Sequence, residues 1–305
     1  MRNLPKPSKE TAWDDLKKVL YKYRYRGEDL GYAPTEAEID AIIAIYDRYD
    51  ELLGSPSPEL KGPDLATDLS AALLKAYGQT YEDGKIHHVR TNAFEKVDLC
   101  PMCGIDPPVE LDHHLPKSLF KPLAIYALNL VPLCEACNGD KLATDAGKFA
   151  HAYFDILPDV QFLKVDVAVD NGALTTLYWI DDGAEVPVPL LEKIKFQMEA
   201  LSMNSRFQKD VNKYLVGHTT GIHMAAEFKD SDGVRYYLKK QAQVEEVAFY
   251  RNHWRPVLLH ALARNAGFCD GEFRNVLPDA QITEQVEDLT ANELGRGIVN
   301  VESGG

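Results

Sequence analysis

An α+β fold is what this sequence predicts: a mostly helical chain, interrupted at its centre by a short cysteine-rich module and later by a β-hairpin. Three observations carry the prediction. Apolar residues recur at helical spacing over the N-terminal quarter and again from about 189 to 268. Two Cys-x-x-Cys pairs, Cys100/Cys103 and Cys134/Cys137, bracket a compact polar segment. Asn171-Gly172 lies between two β-rich runs, 160–169 and 174–180, the strongest short-range hairpin signal. The expected division is a helical region over 1–84, the cysteine module over 85–155, and a mostly helical α+β region with a polar tail over 156–305.

The chain has 305 residues, too many for one small core, so more than one domain is expected. A formal net charge of -14 argues against a generic, charge-driven nucleic-acid binder. It does not exclude a nuclease, because a local patch, a metal ion or a partner offsets an acidic remainder. No apolar run is long enough to span a bilayer, and the first ten residues contain no apolar signal core, so a cytoplasmic protein is expected. Four of the five cysteines sit in the tight pairs, which is metal-site usage in a reducing compartment rather than a disulfide framework. Cys269 is left over and reads as a packing thiol.

Taken in order, residues 11–26 read as a helix with Thr11 at its N-cap and Trp13, Leu16, Val19, Leu20 and Tyr23 on one side. Lys17, Lys18, Lys22, Arg24 and Arg26 fall on the other, with Tyr21 and Tyr25 among them. That face reads either as a phosphate-contacting surface with stacking aromatics or, as preferred here, as a solvated charged face. A second helix starts with the capping box Thr35/Glu38, runs through Ile39, Ile42, Ile43, Tyr46, Tyr49 and Leu53, and ends at Gly54. Residues 55–64 read as a linker or turn. A third helix carries Leu65, Leu69, Leu73, Leu74 and Tyr77 inward and ends at Gly78. Residues 86–91 read as a strand that sends His87 and His88 to opposite faces, and 145–154 as a helix running into a loop. His218, His223, His253 and His260 stand at no metal-ligand spacing, and the polar residues after 277 read as a frayed tail.

The chemistry concentrates between Cys100 and Lys141. Each Cys-x-x-Cys puts two thiolates on one tight turn, and two such knuckles make a closed tetrahedral site suited to structural zinc. Between them, Leu111-Asp112-His113-His114-Leu115-Pro116 reads as the end of a strand, since Pro116 cannot continue a central ladder. A carboxylate is a hard ligand for Mg2+, and a neutral imidazole takes a proton from water near pH 7. Asn138, fixed by Cys137 before it, offers a second oxygen ligand, and Asn129 is placed to tie the loop to the strand. Strand alternation puts Asp112 and His114 on one face with His113 opposite.

In this segment the chain resembles the HNH nuclease family, also called the His-Me finger or ββα-metal family. Cys100-x-x-Cys103, Asp112-His113-His114-Leu115-Pro116, Asn129, Cys134-x-x-Cys137-Asn138 and Lys141 occur in the family's order, over roughly residues 86–150. The resemblance implies an endonuclease with a zinc-stapled ββα-metal fold. It implies His113 as general base, chosen over His114 by motif position, and Asp112 and Asn138 as holders of one catalytic divalent ion, Mg2+ or similar. It implies Asn129 as the residue that positions the His113 loop. The family's final His is Asn138 here, which keeps an oxygen ligand and favours a hard ion.

A wider resemblance is to HNH proteins of bacterial anti-phage systems, including the nuclease subunit that partners an ATPase in Septu-type and some retron systems. It is carried by Leu115-Pro116-Lys117-Ser118, Asn129-Leu130-Val131-Pro132 and His151-Ala152-Tyr153-Phe154-Asp155. It implies a co-encoded ATPase or other defence subunit as partner. Nucleic acid is the expected substrate, DNA first. RNA stays open, because backbone hydrolysis reads phosphate and not base. The alternative from another class is a non-catalytic zinc-ribbon adaptor for nucleic acid or protein. Lys117, Lys121 and Lys141 read either as phosphate neighbours or as surface lysines.

Overall fold

A computed structural model describes residues 1–279. The frayed tail expected after 277 lies almost wholly outside the described residues. The chain is α+β: helices with three separate two-stranded antiparallel sheets. No helix among the described residues is long and apolar enough to cross a membrane. Two compact units emerge, one made of 1–160 and 182–203, the other of 161–181 and 204 onward.

The first unit opens with α1 (Ala12–Val19), shorter than the sequence predicts. Thr11 stands at its N-cap without the capping bond, because its hydroxyl donates to Asp15 instead, at 2.8 Å. The predicted second half of this helix is a β-ribbon, β1 (Lys22–Tyr25) paired with β2 (Glu28–Gly31). Tyr21, Tyr23 and Tyr25 alternate with Lys22, Arg24 and Arg26 at period two, which a helical count absorbs only by accident. The two-residue turn Arg26-Gly27 has positive φ at both positions (53° and 89°), the backbone twist that suits a tight hairpin.

The second helix, α2 (Glu36–Glu51), carries the full capping box of Thr35 and Glu38. It buries Ile39, Ile42, Tyr46 and Tyr49, while Leu53 beyond it is exposed. Of the two readings of 55–64, linker or turn, the structure shows the turn: Pro58–Lys61 forms a 3-10 turn whose Leu60 is fully buried. α3 (Thr67–Ala76) follows, then a 3-10 turn over Tyr77–Thr80 that takes in Gly78. The strand predicted over 86–91 is a helix, α4 (His87–Phe94). Ile86, Val89 and Ala93 are its buried residues, and that spacing outweighs the local β-branched content. His88 therefore reaches Asp15 on α1, at 2.9 Å, rather than one face of a sheet.

The cysteine module contributes β3 (Glu110–His113), β4 (Leu130–Leu133) and α5 (Glu135–Asp140). Residues 145–154, predicted as a helix, form turns fastened to the N-terminal segment: Leu4 N–H donates to Ala152 O at 2.9 Å. α6 (Val188–Ala200) completes this unit, and its Gln197 amide donates to Met102 O at 3.0 Å.

The second unit holds β5 (Leu163–Asp170) and β6 (Ala173–Ile180), turned at Asn171-Gly172 as predicted, with φ of 48° and 77°. α7 (Met203–Val216) satisfies the free edge of β6 with side chains. Asn204 accepts from Tyr178 N–H and donates to its carbonyl, and Gln208 does the same for Thr176 N–H and Leu174 O. An edge paired in this way offers no template to another chain. α8 (Thr219–Phe249) breaks at Lys229–Asp230, and α9 (Trp254–Arg264) and α10 (Phe273–Val276) close the described chain. Cys269 is buried, its thiol donating to Leu262 O at 3.4 Å.

Candidate metal centre and the histidines beside it

The four paired cysteines converge. All are buried, and their sulfurs lie within 4.8 Å of one another. Cys103 Sγ and Cys134 Sγ are 3.7 Å apart, against about 3.8 Å for the edge of a tetrahedron with zinc–sulfur bonds of ~2.3 Å. Backbone N–H groups of Ile105 and Cys137 point at Cys103 and Cys134 sulfurs, at 3.4 and 3.5 Å, which favours thiolate there. Hydrogen bonding within the cluster, foremost from Cys100, holds the Cys103 thiol below its usual range. The four cysteines fit a metal ion such as zinc, with no position left open for substrate. Cys134 also caps α5, so the same residue closes the metal frame and starts the helix.

β3 and β4 pair antiparallel, with Asp112 opposite Val131 and His113 opposite Leu130, and α5 lies against β3. The pleat sends the two polar side chains of β3 apart. Asp112 Oδ2 is paired with Lys141 Nζ, which also donates to His113 O at 2.9 Å. Among the described residues, the bond to this carboxylate falls on that one oxygen. His113 turns the other way. Its Nε2 donates to Ala124 O at 2.9 Å, which leaves Nδ1 as the basic nitrogen. Its ring packs 4.5 Å from Tyr77, whose hydroxyl donates to Leu111 O. Lys117 Nζ sits 3.7 Å over the opposite partner of that stack, the Tyr77 ring. Burial, foremost, pushes His113 down to about 4, so it is neutral at pH 7.

Asn129 does what its position suggested, and more. Its Oδ1 accepts Leu115 N–H at 2.8 Å, and its Nδ2 donates to Leu115 O and Leu123 O at 3.1 and 3.2 Å. Its carbonyl accepts His114 N–H at 2.7 Å. The loop after β3 is thereby latched to β4 at full burial, where an unmade bond would cost most. Behind it stand two residues that motif reading left without this role. Tyr49 donates to Asn129 Oδ1 at 3.1 Å and pairs with His151 Nε2 at 2.9 Å, while His151 Nδ1 accepts Tyr153 N–H at 3.1 Å. Since Nδ1 accepts, the His151 proton sits on Nε2 and points at the Tyr49 oxygen. Gly54 makes this approach possible: a Cβ there would lie 2.3 Å from the His151 ring.

His114 belongs to this rear network. Its ring lies 4.0 Å from that of His151, and its buried Nδ1 has no partner. Asn138 rides on α5, half-buried directly after Cys137, and its backbone N–H donates to Cys134 O at 3.0 Å. The structure brings its helix to the strand of Asp112 without pairing the two side chains. Of the lysines, Lys141 is no surface residue but the partner of Asp112. Tyr77, Tyr49 and Lys141 gain their roles through contacts between residues 28 to 102 positions apart. By sequence, Tyr49 and Tyr77 stand only on helical stripes, while Lys141 and His151 lie in segments already singled out but without these partners.

The chain was compared with protein-family models, curated proteins and solved structures, and it matches none of them.

Proposed function

We propose that this chain is an HNH-type, metal-dependent endonuclease that hydrolyses phosphodiester bonds in nucleic acid, DNA first. The observation that carries the reading is the latched β3 end. His113, neutral and oriented by Ala124 O, stands next to Asp112 in a hairpin followed by α5, all inside the four-cysteine frame. Asp112 and Asn138 fit a hard divalent ion, since Mg2+ characteristically takes one or two protein oxygens and completes its shell with water and phosphate. Such an ion, when bound, stabilises charge on the phosphate and the leaving oxygen.

The chain's own residues supply the rest. His113 Nδ1 accepts the proton of the attacking water as its oxygen bonds to phosphorus and the bond to the leaving ribose oxygen breaks. Asn129 holds the loop so that the imidazole does not swing away. Lys141 occupies one oxygen of Asp112 and keeps the carboxylate oriented, leaving the other as donor. In this reading the protein is the nuclease of an anti-phage system and works with a co-encoded ATPase, consistent with its acidic charge.

The test is cleavage of supercoiled plasmid, single-stranded DNA and structured RNA by the purified chain, with and without added Mg2+ and the co-encoded ATPase, beside His113→Ala. Loss of a general base lowers the rate by about 10²–10⁴. Equal cutting by both proteins would sink the mechanism. Zinc-loaded protein that binds a partner or nucleic acid yet never cuts, with or without the ATPase, would make it the zinc-ribbon adaptor instead.

A further inference from the structure

Among the described residues of the ribbon β1–β2, none is buried. Every residue of β1 is exposed, and Tyr21, Tyr23 and Tyr25 are 38, 48 and 57% exposed. At period two the three tyrosines share one face and Lys22 and Arg24 the other. Three solvent-facing tyrosines in a row do nothing for the core of this unit. The tyrosine face is flanked by cations, with Lys85 Nζ 3.4 Å over the Tyr21 ring and Arg26 5.3 Å over Tyr25.

Cation–aromatic pairs continue from the ribbon toward His113 within the same unit. Lys85 belongs to the turn that begins at Tyr81, where Gly84 N–H donates to Tyr81 O at 2.9 Å. Tyr81 is 47% exposed, has Arg90 5.5 Å over its ring, and lies 5.6 Å from Tyr77. Tyr77 carries Lys117 and stacks on His113. The run from Lys17 to Arg26 contains five basic residues and no acidic one in a chain of net charge -14. Acidic residues also stand beside the track: Glu28 and Asp29, across from Tyr25 and Arg24, and Glu82 and Asp83 in the turn.

We infer that this ribbon and the Tyr81–Lys85 turn form a binding track for single-stranded nucleic acid leading to His113, with bases stacking on the tyrosines and phosphates meeting the flanking cations. The assignment of His113 as the endpoint rests on the hydrolytic reading above; the binding surface does not. A single strand is the occupant because only unpaired bases offer their faces to an aromatic row, whereas charge alone would serve a duplex equally. Local charge complementarity is what an acidic chain needs to hold a polyanion.

The experiment is fluorescence anisotropy with a labelled 20-nucleotide single strand and the matching duplex. It uses the full zinc-loaded chain in the His113→Ala background, without added Mg2+. Tyr23→Ala/Tyr25→Ala is expected to weaken single-strand binding by about tenfold or more and duplex binding far less. Lys22→Glu/Arg24→Glu is expected to weaken both and to reduce the salt slope of log K by at least ~1. Lys239→Glu/Lys240→Glu, on α8, is the control and leaves binding unchanged. Circular dichroism and zinc content confirm that each variant is folded.

Binding and salt slope unaltered in both ribbon variants would overturn the inference, as would no binding by the parent chain. Displacement by poly-glutamate as effective as by nucleic acid would reduce the track to a generic polyanion surface and overturn it too. The two readings fail separately. A parent that cuts, with ribbon variants that bind and cut like it, removes the track alone. Ribbon variants that lose binding in a chain that never cuts remove the nuclease and leave the track.

Discussion

His113 and His114 are neighbours in sequence, equally buried, and both held below the ordinary histidine range chiefly by burial. Their surroundings share almost nothing. His113 faces Tyr77 and the Ala124 carbonyl, with Asp112 and Lys117 close enough to act on its charge. His114 faces His151, which is locked through Tyr49 to Asn129. Burial and a depressed pKa therefore do not single out a base. What separates the two is the partner each ring meets: Tyr77 and a backbone carbonyl for His113, and for His114 the ring of His151, whose own bonds go to the network that holds the loop.

Both faces hang on the cysteine frame, so the largest effect comes from its removal. A strong chelator, or Cys103→Ser with Cys134→Ser, should release one zinc per chain and abolish the cooperative unfolding of this unit. Structural zinc supplies on the order of 10 kcal/mol or more to small modules. Metal analysis with calorimetry checks this, and an unchanged melting curve would show that the cysteines staple nothing.

The next effect divides the faces. His113→Ala is expected to lose 10²–10⁴ in cleavage with little change in stability. His114→Phe should keep cleavage within about threefold and stability within about 1 kcal/mol, since it removes a buried nitrogen that has no partner. Reversal of that pattern would exchange the roles of the two residues.

Asn129→Ala strikes both faces at once. It leaves Leu115 N–H and Leu115 O without the Asn129 amide and removes one bond each from Leu123 O and the Tyr49 hydroxyl, at about 1–3 kcal/mol for a buried group left unmade. Denaturant unfolding should show a loss of about 3 kcal/mol, and cleavage should fall with it.

Acid should strike both faces, since burial lowers His113, His114 and His151 alike. His151 is pushed down to about 3, mainly by burial, against an ordinary value of 6.5. Between those values the unfolded chain holds a proton that the folded chain lacks. Its contribution is therefore whole above about pH 6.5 and is lost as pH falls, by about 1.4 kcal/mol per unit. His151→Gln should reduce the pH slope of stability between pH 6.5 and 4.5 by about one proton; an unchanged slope would place the acid sensitivity elsewhere. The smallest effect is Thr35→Ala, which removes the α2 cap for about 1 kcal/mol. It should leave cleavage untouched, because Thr35 stands at the opposite end of α2 from Tyr49.

The sequence by itself determined the α+β class, the four-cysteine set, the Thr35 capping box, the Asn171-Gly172 hairpin and Asn129 as the loop latch. Each is a local rule: a spacing, a cap, a turn that needs positive φ, or an amide set between the Asp-His segment and the second knuckle. The same rules misjudged the second half of 11–26, read as helix, and 86–91, read as a strand. There the ribbon is exposed on both faces and gives no burial signal, while α4 is fixed by Ile86, Val89 and Ala93 packing inward rather than by propensity. Only the tertiary structure decided which face each histidine took, that Lys141 serves Asp112, and that Tyr49, Tyr77 and His151 stand around the loop. Those contacts join residues far apart in the chain, where no periodicity reaches and where packing and hydrogen-bond satisfaction alone choose the partner.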